Sequence, residues 1–340
     1  MPYFPALRAR LLACLCGLCL ALASCATAPD AKSTTPTALT SISAQGISLP
    51  GRLLFVRGGD IWQWQGGTGS QLTQQGNLAQ PSWSPDGSRI ACIQRGNSYS
   101  DIVLLSATGD SMLPLTHNDS AEPPNSQGRV RSTIWALYPS FAPDGGTIAY
   151  TSQAGPATGE PAADYNLALY TMPAAQGGQR TQRYASDTGQ VGRAAYAPDG
   201  ALALAFQPTG GDARPQILRL TQDQAAPIDG LPDDSYDPAF SPDGTWLAFA
   251  TRRGQATDLA IIPAGGGSPT TLTSIGSARA PAFSPDGAWL AFLALSPGSS
   301  SFDLWVAPLT LSADSATIGE PKALTSGLQL DPDSGLSWGR

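Results

Sequence analysis

The chain has 340 residues, of which 41% are hydrophobic and 13% are charged, and its formal net charge is −7. Proteins that bind nucleic acid normally present a basic face, so this acidic balance argues against nucleic acid as a partner. Gly and Pro, with 37 and 30 copies, make up about a fifth of the chain, which favours short strands joined by turns over long helices.

The N-terminal residues have the pattern of an export signal. Two arginines precede an apolar run at 11–23, which is too short for a membrane span of about 20 residues but has the length of a secretory signal core. The sequence LASC at 22–25 resembles a bacterial lipobox, in which the Cys is lipidated and becomes the first mature residue. We therefore predict a lipoprotein signal peptide at 1–24 and lipidation of Cys25. An ordinary signal peptide followed by an unmodified Cys is the alternative.

Residues 25–50 carry the predicted lipid and a short polar segment. This segment is rich in small residues and is interrupted by Pro, a composition that cannot bury a core, so we expect a disordered tether. A diacylglyceryl group on Cys25 anchors a protein stably. The expected location is the cell envelope, at the periplasmic side of an outer membrane or at the exterior of a single-membrane cell.

The rest of the chain, 51–340, is organised by an internal repeat. The motif S/A-P-D-G occurs five times, with its Asp at positions 86, 144, 199, 243 and 286. Intervals of 43 to 58 residues match one four-stranded blade of a β-propeller. Pro, Asp and Gly are turn residues in this order, and the Gly supplies a left-handed position. We therefore assign these aspartates a structural role.

Each motif is flanked by predicted strands. An aromatic residue precedes each Pro by two positions, and an apolar run follows each Gly, as expected for a strand covered on both faces. A later strand begins with an acidic or amide residue, and a fourth segment often ends in Leu-Thr, as at 115–116, 272–273 and 324–325.

The two ends of this region predict how the ring closes. Residues 52–57 match the second strand of a blade, with Leu53 at the position of Ile90, but no first strand precedes them. Residues 336–338 match the first strand at 81–83. We therefore predict an all-β fold, a six-bladed propeller closed by pairing of the N- and C-terminal strands in one blade.

These repeats resemble the TolB-like propeller family, whose repeats are called WD40-like or PD40. The resemblance covers about 51–340 and implies the propeller fold and a place in the bacterial envelope. TolB itself carries an α/β domain before the propeller, which partners of the Tol system use. Here the tether occupies that place, and a lipobox is not part of the TolB pattern, so the chain resembles a lipoprotein relative of TolB.

Candidate catalytic groups are few. His117 is the only His, and a Ser-His-Asp triad has no other base available. Residues 335–339 match G-x-S-x-G, but the motif lacks the following helix and downstream His of a nucleophile elbow, so we interpret it as a chance match. We expect neither a catalytic role nor a cofactor. Calcium bound by Asp233, Asp234 and Asp237 is an alternative to a solvated acidic loop.

The candidate binding surface is the propeller face opposite the S/A-P-D-G turns. We expect long loops there at 117–137, 151–165 and 222–237, and loops on a rigid scaffold commonly carry function. We expect Arg193, Arg279 and Asp333 just before the inner strands, around the channel mouth. The predicted binding residues are the arginines, aromatic residues and aspartates of the loops and of the mouth: Arg129, Arg131, Trp135, Tyr138, Arg193, Asp233, Asp234, Tyr236, Asp237, Arg279 and Asp333.

Two functions are compatible with these residues. The favoured one is a non-enzymatic, protein- or peptide-binding scaffold of the cell envelope, monomeric and held to the membrane by its lipid. The alternative is a glycan- or small-molecule-binding protein, or an enzyme that uses carboxylates such as Asp237 and Asp333 in the channel mouth.

Overall fold

The computed structural model describes residues 38–40, 47–153 and 166–340. The predicted signal peptide and its lipidation site Cys25 lie outside these residues. Among the residues it describes, no helix has the length and apolar character needed to span a bilayer.

The described residues form 26 strands arranged in six antiparallel sheets, each a propeller blade. In chain order, β1 is the outermost strand of blade 1. Blade 1 then continues with three consecutive strands. The bounds of these four are Ala38–Thr40 (β1), Arg52–Arg57 (β2), Asp60–Gln65 (β3) and Thr68–Gln71 (β4).

Blades 2 and 3 each consist of four consecutive strands. The strands of blade 2 are Leu78–Trp83 (β5), Arg89–Arg95 (β6), Ser100–Ser106 (β7) and Met112–Pro114 (β8). A short helix, α1 at Gln127–Ser132, lies in the loop that follows. The strands of blade 3 are Ala136–Phe141 (β9), Thr147–Gln153 (β10), Leu167–Pro173 (β11) and Thr181–Tyr184 (β12).

Blades 4 and 5 repeat this pattern. The strands of blade 4 are Gly189–Tyr196 (β13), Leu202–Pro208 (β14), Gln216–Thr221 (β15) and Gln224–Pro227 (β16). Those of blade 5 are Ser235–Phe240 (β17), Trp246–Arg253 (β18), Ala256–Pro263 (β19) and Thr270–Thr271 (β20).

Blade 6 divides its outer edge between two short strands. Its strands are Arg279–Phe283 (β21), Trp289–Leu295 (β22), Phe302–Leu311 (β23), Ala316–Ile318 (β24) and Lys322–Ala323 (β25). Both β24 and β25 pair with β23. The last strand, Ser337–Gly339 (β26), belongs to blade 1.

The core lies between neighbouring blades. The second strand of each blade is covered on both faces, as its apolar sequence predicted. One cluster shows this arrangement: Leu54 of blade 1 packs with Trp83, Ile90 and Cys92 of blade 2, and all four are buried. Burial raises the pKa of the Cys92 thiol well above its ordinary value, which keeps this Cys in the unreactive protonated form.

Ring closure follows the prediction. Strand β26 pairs with β2, and Trp338 is opposite Leu53, just as Trp83 is opposite Ile90 in blade 2. The Ser337 hydroxyl accepts a hydrogen bond from the Trp83 backbone N–H at 2.9 Å, so the closing strand also contacts the next blade. The six-bladed all-β fold is therefore confirmed.

Part of the predicted tether contacts the propeller. Ala38–Thr40 forms β1, which pairs antiparallel with β4 at the outer edge of blade 1. Ile47 and Leu49 pack against the cluster between blades 6 and 1. The prediction of a disordered segment did not include these contacts.

The S/A-P-D-G turns have the geometry that their sequence predicts. In the first copy, Gly87 has φ 67° and its N–H donates to the Ser84 carbonyl. Asp86 accepts hydrogen bonds from the Ser84 hydroxyl at 2.6 Å and from the Ser88 N–H at 3.0 Å. These donors lower the pKa of Asp86 to about 2, with the Ser84 hydroxyl as the largest cause. The motif aspartate is thus a turn residue.

A second repeated pair stabilises the outer half of the blades. An aspartate near the start of the third strand, Asp258 in blade 5, accepts a hydrogen bond from the hydroxyl of Thr273 at 2.9 Å. That hydroxyl also accepts from the Leu259 N–H. The Asp–Thr pair recurs in blades 1, 2 and 6, at Asp60–Thr73, Asp101–Thr116 and Asp303–Thr325.

Candidate functional site

The first strand of each blade faces the central channel, and one residue on it or, in blade 1, just before it lies at the channel mouth, at the end opposite the S/A-P-D-G turns. This residue lies three positions before the motif aromatic, and in ring order the six are Gln80, Tyr138, Arg193, Asp237, Ala280 and Gly335. In blades 2 to 6 the pairing of the first and second strands shifts register around this residue, as in a β-bulge. A bulge re-aims a side chain, which here turns it toward the mouth.

Left-handed backbone is concentrated at this position. Gln80, Tyr138, Asp237 and Ala280 have φ between 52° and 56°, and Gly335 has φ 70°. For residues other than Gly this conformation is strained, and such strain persists only where surrounding contacts enforce it. At the mouth, therefore, contacts between side chains outweigh the unfavourable backbone conformation of these residues.

Three residues of this position and two neighbouring residues form a connected polar ring. We call it the mouth ring, and its members are Tyr138, Arg193, Asp237, Arg279 and Asp333. Asp237 lies between the two arginines, with its carboxylate oxygens 3.8 Å from Arg193 Nε and 3.1 Å from Arg279 Nε. Arg279 Nη1 lies 2.8 Å from Asp333 Oδ1. The ring joins blades 3, 4, 5 and 6 to the segment that precedes β26.

Tyrosine rings complete the support of both guanidinium groups. Arg193 Cζ lies 5.0 Å from the ring centroid of Tyr138, and Arg279 Cζ lies 5.5 Å from that of Tyr236. Cation–π contacts of this kind are worth about 0.5–1 kcal/mol at exposed sites and more when desolvated. The Tyr138 backbone N–H in turn donates to Gln80 Oε1 at 2.6 Å, which links blade 2 to the ring.

The charges of the mouth ring are unequally buried. The Asp237 side chain is 10% exposed and also accepts the Ala280 N–H, whereas the Asp333 side chain is 70% exposed. Burial alone opposes the charge of Arg279, but the carboxylates of Asp237 and Asp333 outweigh it and raise the pKa of this arginine above its ordinary value. The two arginines thus lie on either side of one buried carboxylate.

The channel holds two cavities. The mouth cavity, of about 220 Å³, is lined by mouth-ring residues including Tyr138, Arg193 and Asp237. The second cavity, of about 420 Å³, lies at the S/A-P-D-G end and is lined by the motif prolines and the residues around them. The aromatic residues Phe141, Tyr196, Phe240, Phe283 and Trp338 line both cavities.

The structure brings together about half of the predicted binding residues. Tyr138, Arg193, Tyr236, Asp237, Arg279 and Asp333 meet at the mouth. Two of them differ in place from the prediction: Arg193 lies within β13 and Arg279 begins β21, whereas both were expected before the inner strands.

In the loop after blade 2, Arg129 forms its hydrogen bonds and ion pair with residues of nearby loops. Arg129 donates to the Ser98 hydroxyl and the Ser120 carbonyl and pairs with Asp119, so it organises the loop around α1. Arg131 is exposed. Trp135 is half-buried, and its backbone N–H donates to Gln153 Oε1 at 2.6 Å. None of these contacts connects the three residues to the mouth ring.

The acidic residues at 233–237 face different partners. Asp233 is exposed, Asp234 lies 3.6 Å from Arg214, and Asp237 belongs to the mouth ring. In the part of the chain that the structure describes, no group of three His, Cys, Asp or Glu residues has the arrangement of a metal site.

The loop predicted at 222–237 is also shorter than expected. Gln222 and Asp223 form the turn between β15 and β16, and Gln224–Pro227 is a strand, so this part lies at the S/A-P-D-G end or along the blade edge. The strand alternation explains the difference, because the turn between the third and fourth strands is always at the end where the first strand finishes. Most of the loop at 151–165 lies outside the described residues.

The two residues that matched catalytic patterns, His117 and Ser337, lie on an exposed loop and on the closing strand. His117 is exposed in the loop after β8. Ser337 lies on the closing strand, where its hydroxyl accepts the Trp83 N–H, and the following residues continue a strand.

Two residues of the site were missed by the prediction. Gln80 supports Tyr138, and Gly335 leaves room for Arg193, because a Cβ there would lie 2.8 Å from the guanidinium carbon. The signal was present in the repeat: both occupy the position three residues before the aromatic, and comparing that position across blades would have found them.

Comparison with known proteins supports the fold. No protein-family model and no curated protein matches the chain. Among solved structures, the putative TolB of Agrobacterium tumefaciens is 16% identical with a TM-score of 0.57, over 85% of this chain and 97% of that one. TolB of Acinetobacter baumannii is 18% identical with a TM-score of 0.56, over 82% and 67% of the two chains.

An oligogalacturonate lyase in complex with manganese is 13% identical with a TM-score of 0.50, over 84% of this chain and 75% of that one. At such identities the likeness concerns the fold alone. The chain therefore has a TolB-like six-bladed propeller fold, as its repeats predicted.

Proposed function

We propose that this chain is an envelope scaffold that docks a protein or peptide over the channel mouth. The observation that carries the proposal is the chemistry of one repeat position. At the turn end, blades 2 to 6 repeat the same motif, whereas at the mouth the repeat position is Gln, Tyr, Arg, Asp, Ala and Gly in turn. This position differs from blade to blade although its surroundings repeat, and its backbone is strained in four of the six copies. Such a position is a candidate for function rather than for folding.

The mouth ring has the features of a recognition surface. Arg and Tyr are the residue types that most often dominate binding energy at protein interfaces. Here their side chains are already held by Asp237 and by stacking, so little rotamer entropy is lost when a partner binds. The six-bladed ring supplies a rigid support.

The proposed location is the cell envelope, with a lipid anchor on Cys25. The LASC motif supports it, and the likeness to TolB folds is compatible with it. Replacement of 1–25 by an ordinary cleavable signal peptide without a lipobox tests the anchor: we expect the mature chain to move from the membrane fraction to the soluble fraction on cell fractionation. Retention in the membrane fraction after alkaline washing contradicts lipid anchoring at this residue.

The alternative is a glycan or small-molecule site, or carboxylate chemistry, at the mouth. The two carboxylates on which it depends are both paired with arginines, which favours docking over acid–base chemistry at these groups. Calorimetry with envelope glycans and with divalent cations tests it. Measurable heat that disappears in an Asp237→Asn variant supports this alternative, and the absence of heat rejects it.

Site-specific photo-crosslinking tests the docking proposal in cells. A photoreactive residue at Asp233, exposed on the loop-rich face, is compared with one at Asp314, exposed in the β23–β24 turn at the opposite end. We expect discrete protein adducts from position 233 alone. A background that carries Arg193→Ala and Tyr236→Ala should lose these adducts while the circular dichroism spectrum stays unchanged. Equal adducts from both positions, or none from 233, contradict docking at the mouth.

A further inference from the structure

We infer that the two mouth arginines form a receptor for a carboxylate of an acidic peptide, and that Asp333 occupies this receptor in the free protein. The inference rests on the proposed docking function and adds the chemistry of the ligand. It follows from the way the two guanidinium groups are divided between a buried and an exposed partner.

The inner edges of both arginines face Asp237. Arg193 and Arg279 direct their Nε atoms to the two oxygens of this one carboxylate, at 3.8 Å and 3.1 Å. Asp237 is buried and fixed by the Ala280 N–H, and the rings of Tyr138 and Tyr236 lie against the guanidinium groups. These supports do not involve Asp333, so the arginines keep their orientation when Asp333 leaves.

The outer edges of both arginines converge on Asp333. Arg279 Nη1 pairs with its carboxylate at 2.8 Å, and Arg193 Nη2 donates to its backbone carbonyl at 2.9 Å. The two guanidinium groups carry two positive charges against the single buried carboxylate of Asp237. Without Asp333 the pair therefore has one uncompensated positive charge directed at the mouth, in a geometry that accepts a carboxylate.

Asp333 has the properties of an exchangeable occupant. It lies on a turn at 332–335 whose shape is set by Asp331, which accepts the N–H groups of Asp333 and Ser334. Its own side chain is 70% exposed and has Arg279 as its ion-pair partner. An exposed ion pair of this kind contributes little stability, so an incoming carboxylate can replace it. The contact is thus a built-in competitor for the ligand.

Binding of labelled model peptides to the full chain, purified in detergent, tests the inference. The probes are tetraglutamate with an amidated C-terminus, tetraglutamine with a free C-terminal carboxylate, and amidated tetraglutamine. Each carries an uncharged fluorophore without a carboxylate, and binding is measured by fluorescence anisotropy at low salt. We expect the first or second probe to bind and the third not to bind. Which of the first two binds more tightly distinguishes a side-chain carboxylate from a C-terminal one.

Asp333→Asn provides the decisive comparison. Removal of the competitor should tighten the Kd of the carboxylate probe about three- to fivefold, the range expected for an exposed ion pair. The control Asp187→Asn makes the same change of charge at an exposed residue before β13 on the same face, and should change the Kd less than about twofold. Arg279→Gln should weaken binding at least about tenfold, because a charge-assisted contact is lost.

The possible failures are distinguishable. If Asp333→Asn tightens binding no more than Asp187→Asn, or if all three probes bind equally, the carboxylate receptor is wrong. If the adducts at position 233 persist in that case, docking at the mouth stands with another ligand chemistry. If both the adducts and the probe binding are absent, the docking function itself is wrong. Because Asp333 is exposed in a turn, its replacement leaves the fold intact, and an unchanged melting midpoint verifies this.

Discussion

The two ends of the central channel are built from the same strands but by different rules. At the turn end, the blades with the sequence S-P-D-G satisfy their polar groups alike: Ser84, Ser241 and Ser284 each donate to an Asp two residues later at 2.6 Å. At the mouth, side chains of different chemistry from different blades satisfy one another. Local satisfaction lets each turn fold by itself, whereas the mouth exists only once the ring has assembled. The mouth is therefore the end of the channel at which residues can differ from blade to blade while the propeller fold is kept.

The largest expected effect comes from a replacement in the core between blades 1 and 2, at Trp83. Its side chain is buried between blades 1 and 2, and its Nε1 donates to the Arg52 carbonyl at 3.1 Å. Trp83→Ala should lower the free energy of unfolding by about 3–5 kcal/mol, measured by urea denaturation. The control Met112→Ala removes a side chain that is 40% exposed and should change stability by less than about 0.5 kcal/mol. Equal effects of the two replacements contradict a core located between blades.

Asp237→Ala breaks the mouth alone. It leaves two partly buried arginines around an empty centre, and we expect a loss of about 2–3 kcal/mol in the free energy of unfolding, together with loss of peptide binding. The exposed residue Asp187, replaced by Ala, is the matched control and should leave both quantities nearly unchanged. If Asp237→Ala is as mild as the control, the mouth ring is not mutually dependent.

Gly335→Ala tests the mouth more finely, because it displaces one mouth arginine, Arg193. Gly335 has φ 70°, and a Cβ would meet the Arg193 guanidinium at 2.8 Å. We expect a destabilisation of about 1–2 kcal/mol and weaker binding of the carboxylate probe. Gly327→Ala is the matched control, because Gly327 also has φ 70° but a Cβ there would lie in open space. A binding defect shared by both variants would assign the effect to backbone strain and not to Arg193.

The smallest effect is expected at the turn end, in the pH dependence of Asp86. Its hydrogen bonds to Ser84 and Ser88 lower its pKa from 3.8 to about 2 in the folded chain. A carboxylate whose folded pKa is depressed adds stability that is fully present above its unfolded pKa and is lost as the pH falls through the folded value. Asp86→Asn should therefore melt at a slightly lower temperature at pH 6.

The difference between the wild type and Asp86→Asn should then fade between about pH 3.8 and pH 2, as thermal melts at several pH values can show. Asp314→Asn removes an exposed carboxylate from another turn and should leave the melting midpoint unchanged. A difference between the wild type and Asp86→Asn that is constant from pH 6 to pH 2 would show that the Asp86 turn has no linked protonation.

The propeller itself could be predicted because its determinants are local and repeated. The Pro-Asp-Gly order fixes each turn, the apolar run after Gly87 and its equivalents fixes each second strand, and the match of 336–338 with 81–83 fixes ring closure. Each of these signals occurs within a few residues. Repetition then multiplies its weight, which is why the number of blades followed from the sequence.

The mouth ring could be predicted only in part. Arg193, Arg279 and Asp333 were placed near the mouth, but their mutual pairing depends on strands that are distant in sequence, and on the bulges that re-aim Asp237 and Tyr138. The sequence also did not indicate that Arg129 would donate hydrogen bonds within its own loop. The partners within the mouth ring are far apart in sequence, so a local sequence pattern contains no information about their pairing.

The pairing of β26 with β2 also determines when the ring can close during folding. Arg52 and Arg340 meet across 288 positions of the chain, and contacts so distant in sequence form slowly. Until Trp338 has been synthesised, blade 1 lacks its inner strand and leaves the edge of β2 unpaired. The two channel cavities, which both include Trp338, cannot exist before that moment. The mouth cavity therefore forms only after β26 has joined blade 1.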